Sequence, residues 1–122
     1  MSNTTTTGMK KSFTAASTVL AYRVLKLDSS AEVEYATDVS GGYSIGASDR
    51  QAAAGEVLPV ALSGAGGSAF CEAAEAIALG AAVFVYTDGK VATGGTAQHD
   101  VLVGYALEAS AADGDVIEVL FA

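Results

Sequence analysis

Gly64-Ala65-Gly66-Gly67-Ser68-Ala69 is the stretch whose spacing most resembles a chemical motif. It fits G-x-G-x-x-A, the pattern of a strand-to-helix turn that brings backbone N–H groups against a pyrophosphate. On that reading residues 57–62 are the first strand and residues 72–79 an Ala-rich helix whose N-terminus holds the anion. Residues 83–86 form the next strand, and Asp88 is the ribose-binding acid. Three features oppose it. Pro59 would remove a ladder donor from the middle of a central parallel strand. The residues after Asp88 read as strands and turns, leaving no room for the βαβ units that complete such a sheet. The residues before Gly64 also read as strands, although this fingerprint normally opens its domain. The segment reads better as a glycine linker, with at most a short helical turn at residues 72–78. A nucleotide-binding enzyme using Gly64 to Ala69 is the least favoured function.

The other chemical candidates are weaker. His99 is the single histidine, flanked by Gln98 and Asp100. Adjacent strand positions point to opposite faces, so the His-Asp neighbours make no ready catalytic pair. Cys71 is the single cysteine, and its neighbours Glu72 and Glu75 oppose a reactive thiolate; it reads as a small buried thiol. It also excludes an intrachain disulfide. Asp113-Gly114-Asp115 opens like a calcium loop but lacks the later ligands, so it reads as a turn. Nothing else gathers His and Cys for zinc. No catalytic, cofactor-binding or metal-binding residue is assigned, and no cofactor is expected.

What such residues would need is a scaffold, and the scaffold signals are all β. Residues 19–27 read as a long strand with Arg23, Leu25 and Leu27 on one face. Residues 33–37 and 43–47 read as short strands separated by Gly41-Gly42. Residues 57–62 form a strand that Pro59 makes an edge, or whose donor-less backbone nitrogen at that point faces outward. Residues 83–86 and 91–93 flank Thr87-Asp88-Gly89-Lys90, a hairpin turn in which Asp-Gly tolerates positive φ. Residues 101–108 and 116–121 follow. Tyr22, Tyr35, Tyr43, Tyr86 and Tyr105 are expected mostly in core or interface.

The chain also repeats. Gly55-Glu56-Val57-Leu58-Pro59-Val60-Ala61-Leu62 returns as Gly114-Asp115-Val116-Ile117-Glu118-Val119-Leu120-Phe121. The repeat predicts that Leu58, Val60 and Leu62 face as Ile117, Val119 and Phe121 do. Upstream, Phe13 falls opposite Phe70, Val24-Leu25 opposite Val83-Phe84, Ala36-Thr37 opposite Ala92-Thr93, and Gly46-Ala47 opposite Gly104-Tyr105. Units this short must share a core. The expected architecture is therefore a small β-barrel or β-sandwich built from two related β units. Residues 12–122 form one β domain, with halves 12–62 and 69–121, preceded by an extended, flexible N-terminal arm at residues 1–11.

Composition narrows the partners. The 122 residues are 51% hydrophobic, much of it alanine, with 14 glycines, one proline and no tryptophan. A net charge of −8 disfavours nucleic acid. No apolar run approaches the roughly 20 residues that span a bilayer, so no membrane partner is expected. The N-terminus is not signal-like, which implies folding in a cytoplasm. Charge is lopsided: Lys10, Lys11, Arg23 and Lys26 stand in residues 1–27 without an acid, whereas all 14 acids lie beyond. A basic start of this kind can dock on an acidic surface, a partner's or its own.

Several motifs then occur in a telling order. They are Ala53-Ala54-Gly55-Glu56-Val57, Val60-Ala61-Leu62-Ser63-Gly64, and Ala78-Leu79-Gly80-Ala81-Ala82-Val83-Phe84-Val85-Tyr86. Asp88-Gly89-Lys90-Val91, Val103-Gly104-Tyr105-Ala106-Leu107-Glu108-Ala109 and Gly114-Asp115-Val116-Ile117-Glu118-Val119 follow. Over most of residues 43–121 the chain resembles the small Ala/Gly-rich group of bacteriophage capsid decoration, or cement, proteins. Residues 13–38 depart from the shortest members. The resemblance implies a non-enzymatic virion protein, made in the host cytoplasm. It would be added to the capsid exterior and would stabilise the shell, acting as a homotrimer. It also implies that the major capsid protein is the partner and that the N-terminal arm orders on it. Met9, Lys10, Lys11, Ser12 and Phe13 are the contact candidates. Deleting residues 1–12 should then abolish binding and leave the body folded. The alternative is another virion fibre, tail or surface-binding β module; 7% aromatic residues without tryptophan weakly oppose glycan binding.

Overall fold

Two glycine–acid turns launch the two longest strands. Gly55 and Gly114 adopt φ of +86° and +96°, a region that suits glycine. Their N–H groups donate to Ala15 and Ala73 at 2.8 Å. The following acid fastens each turn: Glu56 accepts from the Ala53 N–H at 2.7 Å, and Asp115 from the Ala111 N–H at 2.8 Å. The apolar runs that follow then extend as strands.

The computed structural model describes residues 9–36, 43–94 and 101–122. The first five strands are β1 (Lys10–Thr14), β2 (Val24–Leu27), β3 (Val33–Tyr35), β4 (Gly46–Ser48) and β5 (Val57–Leu62). The next five are β6 (Ser68–Glu72), β7 (Ala82–Val85), β8 (Val91–Thr93), β9 (Leu102–Ala106) and β10 (Val116–Phe121). The described residues contain no α-helix, only 3-10 turns at Ser63–Ala65 and Thr87–Gly89. The strands form two five-stranded antiparallel sheets, ordered β1-β5-β4-β2-β3 and β6-β10-β9-β7-β8. The two orders are the same path traced twice, so the repeat read from the sequence is a repeat of topology. One parallel bridge in each unit, Ala15 to Val33 and Ala73 to Val91, draws the sheet ends together without closing a barrel. The fold is β-sandwich-like.

The strand pairings set the repeat's true register. Leu58 lies opposite Phe13 and Ile117 opposite Cys71, so Phe13 corresponds to Cys71, not Phe70. Leu25 corresponds to Val83, and Tyr35 to Thr93. Those sequence matches slipped by one or two residues, whereas Gly46-Ala47 against Gly104-Tyr105 holds. A close backbone approach explains that pair. A Cβ on Gly46 would sit 1.9 Å from the Ala61 oxygen, and one on Gly104 would sit 1.8 Å from the Leu120 oxygen.

The expected long strand at residues 19–27 is broken. Tyr22 has φ +64°, Val19 pairs only in an isolated bridge with Ala52, and β2 begins at Val24. Pro59 does not make β5 an edge, because β5 lies between β1 and β4. Its missing donor costs no ladder bond for another reason. Leu62 donates to Met9 on the β1 side, so by alternation Pro59 faces β4, whose last residue, Ser48, pairs with Val60. Residues 72–79 form no helix: Glu72 ends β6, which removes the dinucleotide architecture. The Asp-Gly turn has the expected paired positive φ, at Asp88 (58°) and Gly89 (72°). The Gly41-Gly42 break and His99 lie outside the described residues.

Leu58, Val60, Ile117, Val119 and Phe121 are all buried, as the alternation requires. Leu58 and Val60 join Val19, Leu25 and Val33 in one cluster. The second cluster is built on β6 to β10, but it also takes in Val24, Ala36, Ala47 and Ala61 from the first half. Full burial of such a Val or Leu contributes about 1.5–3 kcal/mol, so this sharing is what welds the halves.

Candidate functional site

The candidate residues Met9, Lys10, Lys11, Ser12 and Phe13 are drawn together by β1. From Lys10 onward the chain pairs with β5, Lys10 opposite Ala61 through Thr14 opposite Val57. The boundary expected after residue 11 therefore falls inside a strand. β1 ends its sheet, so no described strand covers its second edge. Met9 is 64% exposed, and Lys10, Lys11 and Ser12 are exposed as well. Phe13 is half-buried, packed against the Leu58–Val60 cluster.

The basic start is largely spent on the protein's own acids. Lys10 pairs with Asp49 at 2.6 Å, Lys26 with Glu34 at 3.0 Å, and Arg23 with Glu72 at 3.3 Å. The Lys10 pair is open to water and contributes little to stability. Lys11 instead lies 5.8 Å from the centroid of the Phe13 ring. It is the exposed cation that this strand can offer a partner.

The joint between the halves was almost invisible in the sequence. Arg23 is 6% exposed, and its guanidinium donates to the Asp88 carbonyl at 2.9 Å and lies 5.6 Å from the Tyr35 ring. Glu72, its ion-pair partner, also takes Lys90 at 3.2 Å, and Lys90 reaches Asp113 at 2.9 Å. That hydrogen bond to Asp113 is the first cause holding the Lys90 ammonium above its ordinary pKa. The outer edge of β6 completes the joint: the Glu72 N–H donates to the Tyr22 carbonyl at 2.8 Å, and the Phe70 and Tyr22 rings meet edge-on at 6.3 Å. Gly89 seats the hairpin turn, since a Cβ there would come 2.6 Å from the Val24 oxygen. Among these only the Asp-Gly turn had a sequence signal. Arg23 read as a strand residue, because its partners lie far along the chain.

The remaining chemical candidates do not converge. Cys71 is fully buried, and burial pushes its thiol pKa up to about 12. Asp113-Gly114-Asp115 is a turn, with Asp113 engaged by Lys90. Among the described residues no group of three or more His, Cys, Asp or Glu is placed to hold a metal. Gly66 and Gly67, both at positive φ, lead directly into β6.

The fold is a β scaffold without a catalytic cluster among the described residues: one five-stranded unit used twice, fastened by a partly buried ionic joint. Its family agrees. The phage cement protein family matches residues 4–121, and the chain belongs to that family. It is a structural protein of the phage virion, as the resemblance in the sequence implied. The same fold occurs in the crystal structure of the head fiber gp8.5 N base in bacteriophage phi29. The TM-score is 0.70 at 17% sequence identity, covering 93% of each chain. No curated protein matches the sequence.

Proposed function

We propose that the protein binds the outside of an assembled phage capsid and strengthens the shell, acting as a homotrimer whose N-terminal segment docks on the major capsid protein. Membership of the cement family carries the reading. The placement of β1 supports it: Met9 and Lys11 are exposed at a sheet end, directly after the eight residues that begin the chain. An arm leading from this strand can add main-chain hydrogen bonds to an edge of the shell protein. Ordering one arm costs entropy, so a single copy binds weakly. Three arms held on one body raise the effective concentration and hence the affinity.

The test is co-sedimentation of the purified chain with capsids lacking it. Deleting residues 1–12 would remove three of β1's five paired residues, so deletion of residues 1–8 is the cleaner probe. The deletion, and separately Lys11→Glu, should reduce capsid binding about tenfold or more while the thermal melt stays unchanged. Full binding by both variants would refute the docking site. A second reading, a base for a longer projection, is favoured by the fold shared with a head fiber base. Additional density rising from the bound protein on intact particles would support it.

A further inference from the structure

The two halves meet head to tail, and that leaves one copy of the contact surface unused. In the first half, Val24, Ala47 and Ala61 form a cross-strand row on one sheet face. They are 0%, 1% and 4% exposed because the edge of β6 and the Asp88-Gly89 turn cover them. The same row in the second half is Ala82, Tyr105 and Leu120, again directly paired across β7, β9 and β10. There Tyr105 is 44% and Leu120 42% exposed, with Leu102 at 40% on the same face. The second half thus carries a larger and more apolar version of a surface that is buried in the first.

We propose that this face receives the first half of a second copy of the chain, docked as the second half docks on the first. The element corresponding to β6 is β1, and no described strand pairs with its outer edge. In the internal joint Ala47 and Phe70 line one small cleft. By the strand registers, Ala47 corresponds to Tyr105 and Phe70 to Ser12. Tyr105 of one copy therefore faces Ser12 of the next. The contact is heterologous, so it propagates from copy to copy and closes into a ring when the rotation permits. It is also chemically simpler than the internal joint. The position of Arg23 is held by Ala81 and that of Glu72 by Thr14, so apolar burial replaces the ionic clamp. The inference rests on the oligomeric reading above and gives its interface. Ser12 then serves the neighbouring copy, and Met9 and Lys11 remain for the shell.

Two measurements on the full chain test it. The double variant Tyr105→Glu, Leu120→Glu changes only exposed side chains. Light scattering should show its self-association weakened by about tenfold or more, with an unchanged circular dichroism spectrum. Ser12→Cys and Tyr105→Cys chains, mixed and oxidised, should form disulfide-linked pairs, whereas neither variant alone should. Cys71 is buried and stays out of the reaction. A double variant that keeps the wild-type mass, with no mixed cross-link, overturns the interface and leaves the trimer standing. A double variant that keeps its mass but no longer binds capsids overturns it too, by assigning the face to the shell. A wild-type chain that is monomeric at all concentrations removes the oligomer itself, and this interface with it.

Discussion

The two halves of the protein follow one strand path and diverge where they touch other things. The first half has its face covered by the second, and it carries the buried Arg23, the constrained Tyr22 and the sheet-end strand β1. The second half keeps glycine at position 80, where the first has Tyr22, and leaves the equivalent face bare. Even the last strands differ in how they treat one donor. The Glu118 N–H is satisfied by the Glu108 carboxylate at 2.9 Å, whereas the first half places Pro59 there and has no donor to satisfy. A duplicated unit thus keeps its hydrogen-bonded frame and changes its outward residues, so function is to be sought in the differences.

The frame should be equally intolerant in both halves. Gly46→Ala and Gly104→Ala each drive a methyl into a facing carbonyl at under 2 Å. Each should cost about 3 kcal/mol or more in urea denaturation. A well-tolerated substitution in either half would break the equivalence. The joint comes next. Arg23→Ala leaves Glu72 without its buried partner and should cost about 2–3 kcal/mol. It should also split one thermal transition into two, the first-half strands exchanging amide hydrogen sooner.

The core of the second half should have its own pH signature. Cys71, which stands where the first half has Phe13, stays protonated in the folded protein to about pH 12. In the unfolded chain it ionises from about pH 8.5. Its raised pKa therefore contributes stability that is complete below that value and falls as pH climbs toward 12. Lys90, also raised, loses its contribution in the same alkaline direction. Cys71→Ala should flatten the alkaline decline of the melting temperature, and an unchanged slope would exclude the thiol as its source. The smallest effect distinguishes the matched turns. Gly80→Ala should cost about 1 kcal/mol, because the left-handed backbone is retained without glycine. Tyr22→Gly should stay within about 1 kcal/mol of wild type, since relief of the same strain offsets the lost Phe70 contact.

The sequence carried the frame well because the frame is local. The Gly-acid-aliphatic run announced β5 and β10, and the Asp88-Gly89 dipeptide announced its turn. The register slipped at Phe13 because matching by residue type favoured Phe70, whereas the hydrogen-bond ladder sets Cys71 opposite the equivalent strand position. The break at Tyr22 was hidden because an aromatic residue gives no warning of a positive φ. The joint stayed invisible because Arg23, Glu72 and Asp88 meet only through tertiary packing. At the candidate site, the exposure of Met9 and Lys11 agrees with the basic start. The pairing of Lys10 and Lys26 with nearby acids could not be read from charge counts, since strand pairing brings those residues together.

Reinforcement of the shell, as proposed above, is read from the temperature at which DNA-filled capsids release their DNA, measured with and without saturating protein. Release should occur at a higher temperature when the protein is bound, and deletion of residues 1–8 should abolish that gain. Saturated capsids that release DNA at the same temperature as bare ones would contradict it.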